Sequence, residues 1–404
     1  MNNNYLELYK KYFIPSYEPV NFVPTHGHGS HLYNGDNVDL IDFAGGVAAT
    51  ALGQTNELLI EALTKQANQL WHVGNIFTNL PQLELAQKLI ENTCFDKVFF
   101  SNCGTEAVEA ALKLAKRYAL KTYGDQKCEI VAFNNAFHGR TLLSVSTGGQ
   151  AKYRNGFEPL PLAIKHAPFN QLNGLEDLIT SNTAAVILEP IQAEGGVIPA
   201  KLEFLQKIRE LCDLHHVALI FDEVQTGMGR TGSLFAYIQY GVEPDIIAVA
   251  KALANGFPIG ATLAKEPFTS GFEFASHGAT FGGNPLSCAV ANKTFDIINN
   301  KDFLNAVSAK HKLLVDELYK INQKLDLYCD IRGKGLIVGA ELHDKYKGNA
   351  YKLVHIAIKH RVSVLNASPN VTRFLPALNI PEADIKEGMK RLANALVEFK
   401  QLLA

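Results

Sequence analysis

The sequence predicts an α/β fold built around a mainly parallel, doubly wound sheet with a smaller α+β domain beside it. Three observations carry that prediction. Short apolar runs end abruptly in polar or glycine-rich loops, as in Val217-Ala218-Leu219-Ile220-Phe221 before Asp222 and Ile246-Ile247-Ala248-Val249-Ala250 before Lys251. Such runs read as strands buried on both faces. Helical patterns separate successive runs, which is the rhythm of a parallel sheet with crossover helices. The loops after the runs hold Gly104, Phe137, Glu189, Asp222 and Lys251, so the topology gathers them at one sheet edge. Ligands of open α/β sheets bind outside the carboxyl ends of the strands.

In chain order, residues 1 to about 45 form a lead-in. Tyr5 to Phe13 has the spacing of a short amphipathic helix that Pro15 ends, and Asn34-Gly35-Asp36-Asn37 is hairpin-turn chemistry. His26, His28 and His31 have no Cys or carboxylate cluster beside them and read as loop residues rather than metal ligands. Leu58 to Leu70 and Pro81 to Asn92 are helical patterns, and Trp71 to Asn79 between them is rich in aromatic and amide side chains, as in a packed loop or a substrate-channel wall. Val98-Phe99-Phe100 leads through Ser101-Asn102-Cys103 into Gly104-Thr105 and a long helix. A strand, small-residue turn and helix offer backbone N–H groups and a helix dipole to a phosphate. Ile130 to Phe133 precedes Phe137-His138-Gly139-Arg140, and Ala185 to Leu188 precedes Glu189 and the loop to Gly196. Leu202 to His215 is the helix that returns to the strand before Asp222. After Lys251, Asn255 to Gly260 is turn chemistry before another short strand, and 277–285 is a polar, glycine-rich loop. Leu286 to Asn299 reads as a long connecting helix at a domain boundary. Beyond it come a charged helix over Val307 to Leu325, strands at Val338 to Leu342 and Val362 to Leu365, a strand edge at Arg373 to Ala377, and a closing helix from Glu382 to Leu402. The division this implies is a large domain over 46–287, with 1–45 and 288–404 forming the small one.

Bulk properties narrow the function. The chain has 404 residues, 47% hydrophobic and 19% charged, and a formal net charge of -2. That balance offers no basic field for nucleic acid or anionic lipid. The six cysteines are scattered without a C-x-x-C pair, which fits a reducing compartment. The first fifteen residues carry no apolar stretch of a secretory signal, and no run approaches the roughly 20 apolar residues that span a bilayer. The expectation is a cytoplasmic enzyme with no membrane or nucleic-acid partner.

An acid at one strand end and an amine at the next suit a cofactor with a basic ring nitrogen and an aldehyde. Pyridoxal phosphate is such a cofactor. Phe137 suits stacking on its ring, and Arg140 suits bidentate capture of a carboxylate. The competing reading of Leu219 to Glu223 is the Walker B strand of an ATPase. It requires a G-x-x-x-x-G-K-S/T loop that the chain lacks, since Arg332-Gly333-Lys334-Gly335 has the wrong spacing.

The segments IDFAGGVA, ALKLAK, AFHGRT, EPIQAEGG, IFDEVQTGMGRTG, AKAL and TFGGNP together resemble class-III aminotransferases of the fold-type-I pyridoxal phosphate group. Among these the chain is most similar to the acetylornithine and succinylornithine aminotransferases, from Phe22 to about Leu396. The resemblance implies that Lys251 holds the cofactor as a Schiff base and shuttles a proton, while Asp222 keeps the pyridine nitrogen charged. Gln225 would meet the phenolic oxygen, with Glu223 and Val224 beside it, and His138 would flank Phe137. Gly104 and Thr105 would bind the phosphate, helped by Thr280 from the partner of a homodimer with shared sites. Arg140 would take the α-carboxylate of an acyl-ornithine, near Ala279. Glu194 would pair with Arg373 and switch it on or off for 2-oxoglutarate, the second substrate. Ornithine and 4-aminobutyrate aminotransferases are the alternatives within the same fold. Ala193 stands where the family mostly has Gly, which bears on donor selectivity, and Cys103 and Thr105 stand where Ser and Ala are common.

Overall fold

The computed structural model describes residues 5–161 and 163–403; the outermost residues of the expected small domain, 1–4 and 404, lie outside that range. A seven-stranded sheet forms the centre. Its spatial order is Lys97–Ser101, Gly260–Ala264, Ile246–Val249, Ala218–Asp222, Thr183–Leu188, Glu129–Phe133 and Ile164–Ala167. All neighbouring pairs from Ile246–Val249 outward to Ile164–Ala167 are parallel. Gly260–Ala264 alone runs antiparallel to both its neighbours. The cause is the short link after Lys251: a parallel return needs a crossover of about a dozen or more residues, and the turn at Asn255 to Pro258 leaves no room for one.

Every residue of Thr183–Leu188, Ala218–Asp222, Ile246–Val249 and Gly260–Ala264 is buried. Each fully covered Ile, Leu or Phe there contributes about 1.5–3 kcal/mol of apolar burial. The helix Gly104–Tyr123 covers one face with Ala107, Val108, Ala111, Leu112 and Ala115, packed on Ile130, Ile187, Ile220 and Ile246. The helix Leu202–His215 covers the other with Phe204, Leu205, Ile208 and Leu211. Ile164–Ala167 was not foreseen; it lies at the sheet edge, where a half-buried, mixed sequence is tolerated.

Two smaller sheets flank the centre. One joins Pro24–His28, His31–Asn34 and Asp39–Asp42 to Val362–Ser363, which lies parallel to Asp39–Asp42. It is sealed by Asp42, whose carboxylate accepts from the Ala44 and Gly45 amides and the Ser363 hydroxyl. The other is antiparallel, in the order Tyr328–Lys334, Ile337–Leu342, Val371–Phe374, Leu365–Ala367. Two expectations change here. Val362 to Leu365 is not one strand, because the chain leaves one small sheet for the other after Ser363. The segment at Arg373 is not an edge but an interior strand, buried throughout because Leu365–Ala367 pairs with its outer side. The connecting helix spans Pro285–Ile298, and the charged helix after it, Lys301–Leu325, starts six residues earlier than expected, where the Asn300 side chain caps it. The helix Ala350–Lys359 was not anticipated.

Candidate active site

At the carboxyl edge of the central sheet lies a cavity of about 470 Å³, within the range of small-ligand sites. Lys251 and Asp222 both line it. Asp222 ends its strand with the side chain almost fully buried. One carboxylate oxygen lies 2.8 Å from Nδ1 of the buried His138, and the other accepts the Val224 N–H at 3.0 Å. Nε2 of His138 is buried without a partner among the described residues.

Lys251 follows its strand at φ 48°, opening a single 3-10 turn. A left-handed backbone at a non-glycine residue costs about 1–3 kcal/mol and persists only where the surroundings impose it. The reversal turns the side chain out of the sheet and into the cavity. Enclosure there pushes the amine down to about 8, with Glu194, Asp222 and Glu189 opposing the shift and Arg373 adding to it. A neutral amine is thereby far more available near neutral pH than on an ordinary lysine.

The other walls come from the loops after neighbouring strands. Gly104 opens its helix against Val224; a Cβ at 104 would stand 2.7 Å from a Val224 methyl carbon. The Cys103 side chain makes no cap, so the first amides of the helix face the cavity end without a side-chain acceptor from that residue. The Thr105 hydroxyl is engaged with Thr141 and Ser144 and accepts the Arg140 amide at 3.2 Å. Phe137 forms a side wall and packs edge-on against Tyr153 at 5.7 Å. Arg140 is exposed, with its guanidinium 3.8 Å from the Tyr153 ring centroid. It lines both the main cavity and a second one of about 230 Å³ that includes Tyr17 and Tyr153. Glu194 lines the cavity and holds Arg373 at 2.6 Å, and Arg373 also donates to Gln225 at 3.3 Å.

Four expected residues are not brought into the cavity lining. Arg373 stands behind Glu194. Ala279 and Thr280 lie on the 277–285 loop, where the Ala279 carbonyl accepts from Asn75 and Thr280 is exposed. Glu223 points the opposite way: its buried carboxylate accepts from the Thr226 hydroxyl and from the Ala236 and Tyr237 amides. It caps the helix Ala236–Tyr240 instead of meeting a ligand.

Residues 12–396 match the family model Aminotransferase class-III. The chain belongs to the class-III aminotransferases. This aminotransferase is 50% identical over 383 residues to an acetylornithine/succinyldiaminopimelate aminotransferase of Yersinia pestis, covering 95% of each chain. It is 49% identical over 391 residues to a succinylornithine transaminase/acetylornithine aminotransferase of Pseudomonas aeruginosa, covering 97% of this chain and 96% of the relative. Its structure matches that of N-acetylornithine aminotransferase from Stenotrophomonas maltophilia with a TM-score of 0.86 at 36% identity, over 98% of this chain and 100% of the other.

The aminotransferase is pyridoxal phosphate-dependent, and its cavity fits that group. The buried acid, the enclosed amine, the aromatic wall at Phe137 and the open helix end supply a partner for each part of the cofactor. The sequence places Glu189 at this edge without pointing to a role for it. In the structure it lines the cavity, accepts the Phe137 and Ala193 amides at 2.9 and 3.1 Å, and is raised by burial to about 7. Its position at the end of an apolar run was the signal that could have found it. Tyr153, by contrast, lies in a short helix with no sequence cue linking it to Arg140.

Proposed function

We propose that this aminotransferase moves the δ-amino group of N2-acetylornithine to 2-oxoglutarate, giving N-acetylglutamate 5-semialdehyde and glutamate, with N2-succinylornithine as a second donor. The observation that carries the reading is the Glu194–Arg373 ion pair beside an Arg140 that has no ion-pair partner among the described residues. An ω-amino donor presents no carboxylate next to its reacting carbon, so a bare Arg373 would face it with an unpaired buried charge. Glu194 neutralises that charge. 2-Oxoglutarate brings its own carboxylate and can replace Glu194 on Arg373. Arg140, at the mouth and continuous with the second cavity, is the bidentate partner for the α-carboxylate of the acyl-ornithine.

Bound in the cavity, pyridoxal phosphate supplies an aldehyde for the amino group and a charged ring that withdraws electrons from the substrate carbon. Lys251 would hold the aldehyde end, Asp222 the ring nitrogen, Phe137 and Val224 the ring faces, Gln225 the phenolic oxygen, and Gly104 and Thr105 the phosphate. His138 fixes Asp222 from behind. Once the donor amine has displaced it from the aldehyde, Lys251 would be the base that moves a proton away from the donor carbon.

The same reading includes a homodimer that completes each site with Thr280 of the other copy. Its support is the exposed apolar surface beside that loop, where Trp71, Ile76, Phe77, Leu80 and Phe281 lie open. It also includes the division into 46–287 and 1–45 with 288–404, supported by the pairing of Val362–Ser363 with Asp39–Asp42. A cytoplasmic location accords with six free cysteines. The test is a donor panel of acetylornithine, succinylornithine, succinyldiaminopimelate, ornithine and 4-aminobutyrate, each with 2-oxoglutarate. The acylated ornithines should lead, and a preference for free ornithine would overturn the substrate reading.

A further inference from the structure

The hairpin that carries Glu194 is fastened to the small antiparallel sheet by a second arginine. Its two strands, Ile191–Gln192 and Ile198–Pro199, pair antiparallel, and the tip holds Ala193 to Val197. Arg332 stands on the strand Tyr328–Lys334 with its side chain only 15% exposed. Its Nη2 donates to the Gly196 carbonyl at 2.6 Å, and its Nε lies 3.1 Å from both the Gly196 and the Val197 carbonyls. Asp330 and Glu341, at 2.8 and 2.6 Å, neutralise the guanidinium and hold it in place.

The sheet register explains the placement. Arg332 pairs with Gly339, and Gly339 pairs with Arg373. Directly opposed residues project to the same side of a sheet, so two arginines flank a residue that has no side chain. Val197 sits over that gap: a Cβ on Gly339 would come within 2.7 Å of the Val197 Cβ. Val197 itself is held at φ 53°, a conformation a β-branched residue adopts only under constraint. At the start of the tip, the Ala193 amide is bound by Glu189 and the Gln192 side chain donates to the Asn134 carbonyl at 2.9 Å. The backbone on both sides of Glu194 is therefore anchored.

We infer that Arg332 is a positioning residue for amino-donor specificity: by clamping the Gly196 and Val197 carbonyls, it keeps Glu194 within reach of Arg373. Switching then requires only rotation of the Glu194 side chain, with the loop stationary. This rests on the reading of Glu194 and Arg373 as a gate, and it adds what holds that gate in register. Without the clamp, the loop spends time away from Arg373. The site becomes poorer for ω-amino donors, which need Arg373 neutralised, but not for dicarboxylates, which need it free.

The experiment uses the holoenzyme and the variants Arg332→Gln and Gly339→Ala, with Glu194→Gln as the control for the gate. Amide hydrogen exchange over residues 193–197 should quicken about tenfold or more in Arg332→Gln, with the strand Ala218–Asp222 unchanged, as expected for loss of a charge-assisted clamp. kcat/KM for acetylornithine should fall about tenfold, whereas glutarate, a dicarboxylate that cannot react, should bind as well as before or better. Gly339→Ala, which displaces Val197 but keeps Arg332, should shift both readouts in the same direction. Unchanged exchange at 193–197 in Arg332→Gln, or equal loss of acetylornithine and glutarate recognition, overturns the proposal. Glu194→Gln should keep wild-type exchange and still separate donor from glutarate. Failure of that separation refutes the gate, while the exchange measurement decides the clamp by itself.

Discussion

The ring of His138 and the carboxylate of Asp222 form a buried pair at 2.8 Å, and the second carboxylate oxygen is held by the Val224 amide. The acid is thus fixed from two sides before any ligand arrives. Replacing His138 with Leu removes one of the groups that hold Asp222 and leaves the acid buried with less compensation, a loss of about 1–3 kcal/mol. The expected outcome is a fall of about tenfold or more in kcat, together with faster cofactor release. Stopped-flow transfer to a competing apoenzyme and steady-state rates measure the two effects.

Lys251→Ala should abolish transamination while the helix end at Gly104 retains part of the cofactor affinity. Intact-mass spectrometry after borohydride reduction separates these contributions. The wild-type protein should gain the mass of the cofactor, and the variant should not.

The Lys251 amine, at about 8 in the cofactor-free site, is mostly charged at pH 7 and mostly neutral at pH 9. Only the neutral form attacks an aldehyde. The rate at which added pyridoxal phosphate reconstitutes the apoenzyme should therefore rise with pH and level off above a midpoint near 8, well below the value of an ordinary lysine. A midpoint near 10 would mean that the amine is not enclosed as described.

The Arg140 guanidinium lies 3.8 Å from the centroid of the Tyr153 ring, and Arg140 lines the cavity. Lys cannot reproduce either the stacking or the bidentate contact. Arg140→Lys should raise KM for acetylornithine about tenfold and leave the affinity for pyridoxal phosphate unchanged. Initial rates and cofactor titration of the same preparation check both.

Glu223 serves the fold. Gln at this position can accept fewer of the three hydrogen bonds, so Glu223→Gln should cost about 1–3 kcal/mol in urea unfolding. Burial raises this carboxyl to about 7 in the folded protein. A raised folded-state pKa gives stability that is complete below the unfolded value and is lost as pH climbs through the folded one. The stability gap between wild type and variant should accordingly narrow between pH 5 and pH 8.

The central sheet was legible because buried strands leave unbroken apolar runs, and Asp222 and Lys251 were legible because each interrupts such a run. Residues that act by facing a neighbour left no such mark. Glu223 and Asp222 are adjacent in sequence, yet alternation along the chain sends one to a helix end and the other to the cavity. Arg373 looked like part of an edge because the strand that covers it, Leu365–Ala367, is three residues long. The partnership of Arg332 with Gly196 and Val197 depends on register across Gly339, which no local pattern encodes. The resemblance to a family supplied roles for Gln225, Glu194 and Arg373 that residue types alone do not.

The reversed strand Gly260–Ala264 has a metric consequence. It wedges between the strand that leads to the Gly104 turn and the strand that leads to Lys251, so those two points are two inter-strand spacings apart, about 10 Å. The Gly104 helix end and the Lys251 turn thus leave the sheet from strands held one strand apart by Gly260–Ala264. A cofactor that sets its phosphate at the helix end and its aldehyde at the amine, as proposed, must match that spacing.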